Sequence, residues 1–107
     1  VKVGRYLSWM SVTRERIAEE VMRLCEARGP GKTVCPSEVA RALEADEAAW
    51  RALMPGVREV AVALAREGRI AVYRKGRVIR DPGAGGPIRL GLPRGQEDRE
   101  RRQRSEQ

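Results

Sequence analysis

Basic side chains crowd one part of this chain. Between Arg66 and Gly95 stand Arg66, Arg69, Arg74, Lys75, Arg77, Arg80, Arg89 and Arg94 against only Glu67 and Asp81, so nearly all of the formal net charge of +7 lies there. Guanidinium and ammonium groups at that density suit anions, above all phosphate, which they bind through charge-assisted hydrogen bonds. Arg51 and Arg58 lie just upstream and have the same chemistry. Only Lys2, Lys32 and Lys75 are lysines. A GC-rich genome explains that bias as well as a need for guanidinium does, so placement says more than residue type.

Two further motifs invite chemistry. Gly29-Pro30-Gly31-Lys32-Thr33 ends like a phosphate loop, but the first glycine of that motif would fall on Glu26, inside a helix and of the wrong charge. No strand precedes it either, so nucleotide hydrolysis is not expected. Cys35 precedes Pro36-Ser37-Glu38, where a helix N-terminus favours a thiolate and hence a redox switch. The sequence identifies no basic partner for it, and a small buried cap is the better reading. Cys25, on an apolar face, reads as inert core.

The exclusions are broad. With no His, the usual general base and the commonest zinc ligand are missing, and two Cys cannot form a tetrathiolate site. No carboxylate pair or base-activated nucleophile emerges, so no enzymatic activity, metal or cofactor is expected. At 107 residues, 41% of them hydrophobic and 35% charged, the chain has room for one small core. No apolar run approaches the roughly 20 residues of a membrane span, the longest being Val60 to Ala65. The first ten residues lack the apolar stretch of a signal peptide, so a cytoplasmic, reduced setting is the expectation.

The elements that must position these residues follow from periodicity. Thr13 can cap a helix whose Ile17, Val21, Leu24 and Cys25 share a face, and Gly29-Pro30 stops it. Lys32-Thr33-Val34 suits a short edge strand. Pro36 fits a first helical position, with Glu38 completing a capping box at Cys35, and Val39, Ala42 and Leu43 facing inward. Asp46 caps a further turn carrying Trp50, Leu53 and Met54 to the core. Pro55 is expected to break that turn and restart a helix over residues 55 to 67, with Val57, Val60, Ala61 and Leu64 inside and Arg58, Glu59, Val62 and Arg66 outside.

Alternation then replaces the helical period. Residues 69 to 74 and 77 to 80 read as strands around a Lys75-Gly76 turn, residues 81 to 86 as a loop, and residues 87 to 92 as a closing strand. The order is helix, short strand, helix, helix, basic β-ribbon. That is an α+β, mainly α architecture of winged-helix type, a three-helix core with a small sheet and wing. Residues 1 to 12 read as an N-terminal arm, 13 to 92 as the domain, and 93 to 107 as a disordered tail in which opposite charges balance.

The stretch Gly31-Lys32-Thr33-Val34-Cys35-Pro36-Ser37-Glu38-Val39-Ala40-Arg41-Ala42-Leu43, then Trp50-Arg51-Ala52-Leu53-Met54-Pro55 and Val57-Arg58, resembles a family of small bacterial proteins known as domain of unknown function DUF3253. Gly86-Pro87-Ile88-Arg89-Leu90 matches its closing motif. The resemblance implies a winged-helix fold in the bacterial cytoplasm and brings no activity with it.

Charge and element order together give the functional expectation: a double-stranded DNA-binding winged helix, a small transcriptional or nucleoid-associated factor with mainly phosphate contacts. Arg51, Arg58 and Arg66 would serve the helix in the major groove, and Arg69, Arg74, Lys75, Arg77, Arg80 and Arg89 the wing. Arg51 and Arg58 suit carboxylate pairing equally well. The alternative is a protein-interaction module of the same fold. Oligomeric state and target sequence stay open.

Overall fold

The computed structural model describes residues 12–79 and 86–93. Among these residues three helices lead into a small antiparallel sheet: α1 (Arg14–Arg28), α2 (Pro36–Leu43), α3 (Glu47–Arg66), β1 (Ala71–Arg74), β2 (Arg77–Val78) and β3 (Arg89–Gly91). The class is therefore α+β, mainly α, as expected. The arm over residues 1–12 and the tail over 93–107 lie outside the described residues, except for Val12 and Pro93.

Local chemistry sets the helix starts. Thr13 accepts the Arg16 backbone N–H at 3.1 Å, and Asp46 accepts that of Ala49 at 3.1 Å. Each satisfies a donor that the first turn leaves without an intrahelical partner. At α2 the Glu38 carboxylate accepts the Cys35 N–H at 2.9 Å, the reciprocal arm of a capping box. Gly29, at φ 91°, ends α1 in a conformation that glycine adopts without a Cβ penalty.

The third helix differs from expectation. Pro55 does not divide it: α3 runs unbroken for 20 residues from Glu47. The hydrogen bond Pro55 cannot make would end on the Arg51 carbonyl, and both residues are exposed, so water can take that place. On the opposite side Leu53, Val57, Val60, Ala61 and Leu64 are buried along one face, and that packing outweighs the local proline cost. Two inward assignments also change. Ala40, not Ala42, faces the core of α2, and Trp50 is half-buried rather than central.

In the sheet the order is β2-β1-β3. Val34 adds a single bridge to Leu90, with backbone distances of 2.6 and 2.7 Å, where a short strand was expected. The β1–β2 turn places Lys75 at φ 53° and Gly76 at φ 82°, the two positive values of the tight hairpin turn that matches strand twist. Ile70, Val72, Ile88 and Leu90 face the helices and join Val21, Cys25, Val34, Val39 and Val57 in one core. Ala71, Tyr73 and Val78 form a second, smaller cluster.

Candidate nucleic-acid interface

The expected basic residues divide into those held by protein partners and those open to solvent. On α3, Arg51 pairs with Glu47 at 2.7 Å and lies over the Trp50 ring at 5.3 Å, while Arg41 from α2 lies over the same ring at 4.6 Å. Arg58 is half-buried and already engaged. Arg66 is exposed in the last turn. The outer face of α3 is otherwise Ala48, Ala52, Pro55 and Glu59, and Glu59 is bonded to Arg14 of α1. Little on it can read a base edge.

Around the sheet, Arg69 pairs loosely with Glu67 at 3.7 Å, and Arg74 donates through Nε to the Pro87 carbonyl at 3.2 Å. Lys75 and Arg77 are exposed on and beside the hairpin turn. Arg80 lies outside the described residues. Arg89 is tied down: its Nε donates to Thr33 Oγ1 at 2.6 Å and its Nη2 to the Thr33 carbonyl at 3.1 Å.

Arg28 has no place among the residues expected from the sequence, yet it reaches the same spot. Its Nη1 donates to the Thr33 carbonyl at 2.8 Å and its Nη2 to Glu38 at 2.6 Å. The Cys35 backbone bond, then the Arg28 bond, holds the Glu38 carboxyl below its usual range. Arg28, Lys32, Lys75 and Arg89 thereby line one hollow of about 360 Å³, together with Gly31, Thr33, Tyr73 and Gly76. A neighbouring hollow of about 560 Å³ shares Tyr73, Lys75 and Arg89 and adds Cys35 and Arg74. Cys35 thus lines the same hollow as Arg74, Lys75 and Arg89. Lys32-Thr33, which fails as a phosphate loop, contributes here by tertiary position instead. No signal in the sequence marks Arg28, since the last turn of a helix is an ordinary place for arginine.

Elsewhere the ion pairs are structural. Glu20, almost fully covered, accepts Arg23 Nε at 3.0 Å and lies 3.4 Å from Arg16 Nη1. Those bonds, that from Arg23 foremost, outweigh desolvation and lower its pKa. Burial pushes the Cys25 thiol up to about 11, in keeping with an inert core residue. No group of metal-ligating side chains occurs among the described residues, and no helix among them is long and apolar enough to cross a membrane.

Among the described residues, three helices on a small sheet with a cationic flank define the class of protein only as an α+β, mainly α domain. The chain belongs to the family described as "protein of unknown function (DUF3253)", which it matches over residues 14–93. No curated protein matches it significantly.

Proposed function

We propose that this chain is a winged-helix protein of the bacterial cytoplasm that binds double-stranded DNA chiefly through its phosphate backbone and has no enzymatic role. The observation that carries the reading is two helices joined by a short turn and followed by a cationic hairpin. Only residues 44–46 separate α2 from α3, and the sheet that follows presents Lys75 on its hairpin turn, Arg77 in β2 and Arg89 in β3. Helix-turn-helix modules join their helices through such short turns, and a winged module adds a basic ribbon along the backbone.

The sheet carries more of this reading than the helix does. Arg51 and Arg58 are engaged within the protein, so Arg66 and the hairpin cations supply the available contacts. Sequence preference should be modest and salt dependence steep. Fluorescence anisotropy on random-sequence duplex DNA with 5′-hydroxyl ends, from about 50 to 200 mM salt, tests it. Affinity falling steeply with salt supports DNA binding, and no binding at the lowest salt removes it.

The small side chains exposed on α3, Ala48, Ala52 and Pro55, favour a second reading, a protein-interaction module of the same fold. In that case duplex binding is absent and one protein partner is retained in stoichiometric amount.

A further inference from the structure

The hollow beside Thr33 draws cations from four separate places: Arg28 at the end of α1, Lys32 in the loop after it, Lys75 on the hairpin turn and Arg89 at the start of β3. Among the described residues no carboxylate lines it. Glu38 is the acid nearest by bonding, and it is committed to Arg28 and to the Cys35 backbone. Gathering like charges opposes folding unless something anionic repays it, and among the described residues only that one carboxylate is bonded to any of the four cations.

The positions are also held in advance. Arg89 is pinned through Nε and Nη2 to Thr33, which leaves Nη1 with no acceptor among the described residues. The exposed ammonium groups of Lys32 and Lys75 have none there either. Arg28 is fixed on the Thr33 carbonyl and paired with Glu38, so it holds the loop in place while its own charge is largely offset. Donors fixed before the ligand arrives lose little entropy on binding it. The volume, about 360 Å³, is that of a small-ligand site.

We propose that this hollow binds a terminal phosphate group, a phosphate monoester or a diphosphate, through Arg89, Lys32 and Lys75, with Arg28 holding the Thr33 loop in position. A monoester carries about two negative charges at neutral pH, because its second pKa is about 6. A backbone phosphodiester carries one and is flanked by sugar on both sides, so it suits a ridge rather than a hollow. The group can come from a free phosphorylated small molecule or from the phosphorylated end of a nucleic-acid strand. Neither source requires duplex binding, so capture of a terminal phosphate is independent of the proposed function.

The test is an amide-resolved NMR titration of the full chain. Its probes are phenyl phosphate, inorganic pyrophosphate, dimethyl phosphate, and a short single-stranded oligonucleotide with and without a 5′-phosphate. Saturable shifts at Gly31, Thr33 and Gly76 are expected, at least about tenfold tighter for the terminal phosphates than for dimethyl phosphate. Tight binding of phenyl phosphate or pyrophosphate identifies a small-molecule source. Tight binding of the 5′-phosphorylated oligonucleotide alone identifies a strand end. Lys32→Ala with Lys75→Ala, both exposed and so compatible with folding, should weaken binding at least about tenfold while distant amides stay in place. Arg89→Gln should do the same. No saturable shift with any terminal phosphate, equal affinity for dimethyl phosphate, or unchanged binding in the lysine variant overturns the proposal.

Discussion

Arg28 and Arg89 donate to a single acceptor, the carbonyl oxygen of Thr33, at 2.8 and 3.1 Å. One residue of an irregular loop thereby joins the last turn of α1 to the first residue of β3. Val34, the next residue, is bridged to Leu90, so the cationic cluster is anchored directly to the sheet. The arrangement makes a surface feature depend on strand register.

Glu38 links that cluster to the start of α2. Glu38→Gln keeps a bond acceptor for the Cys35 N–H but removes the charge facing Arg28, and should cost about 1 kcal/mol of stability at neutral pH. The folded pKa of Glu38 is lowered, so its contribution is present above the unfolded value of about 4.3 and fades as pH falls through the lower folded value. Urea midpoints of wild type and variant should therefore converge in acid. A gap that stays constant down to about pH 3 contradicts the role of the charge.

Gly91 sits where a side chain cannot. A Cβ there would lie 2.9 Å from the Lys32 carbonyl oxygen and 3.2 Å from the Tyr73 ring. Gly91→Ala should destabilise by about 1–3 kcal/mol. Gly56, inside α3, offers the opposite case, since its nearest neighbour would be Ile17 Cδ1 at 3.6 Å. Gly56→Ala should stabilise by about 0.5–1 kcal/mol. Thermal denaturation of the two variants should move in opposite directions.

Pro55 lies within an exposed turn of a continuous helix. Pro55→Ala restores a backbone donor for the Arg51 carbonyl at the expense of a more flexible unfolded chain. A net gain of about 1–2 kcal/mol is expected in chemical denaturation, below the full proline penalty of about 3. A loss of stability would show that α3 needs the proline.

The two thiols should separate cleanly. Cys25 is fully buried with its pKa pushed up to about 11, whereas Cys35 is half-exposed. A thiol-reactive dye should label Cys35 in the native protein and reach Cys25 only after unfolding. Rapid labelling of both under native conditions would contradict the packing of α1.

Lys75 and Arg77 are exposed on the hairpin and hold no core position. If the hairpin follows a DNA backbone, Lys75→Ala with Arg77→Ala should reduce the slope of log affinity against log salt by about 1 for each phosphate deprived of its cation. An unchanged slope takes the hairpin out of the interface.

Much of this molecule could be read from short-range pattern. Thr13, Pro36 and Asp46 mark helix starts because capping is settled within three or four residues. The apolar spacing of Ile17, Val21 and Cys25, and of Val57, Val60 and Leu64, identifies buried faces because helical geometry repeats locally. Lys75-Gly76 identifies the hairpin for the same reason. Pro55 misled because its penalty is local while the packing that overrides it spans the whole helix.

The basic cluster is of the other kind. Excess charge after Arg66 was visible in the sequence, but Arg58 and Arg74 are engaged within the fold, whereas Arg28 and Lys32 join Lys75 and Arg89 from a distant segment. Which cations converge is decided by the Val34–Leu90 bridge and by the register that sets Tyr73 opposite Arg89. Those pairings bring together residues far apart in the chain, and no periodicity along the sequence records them.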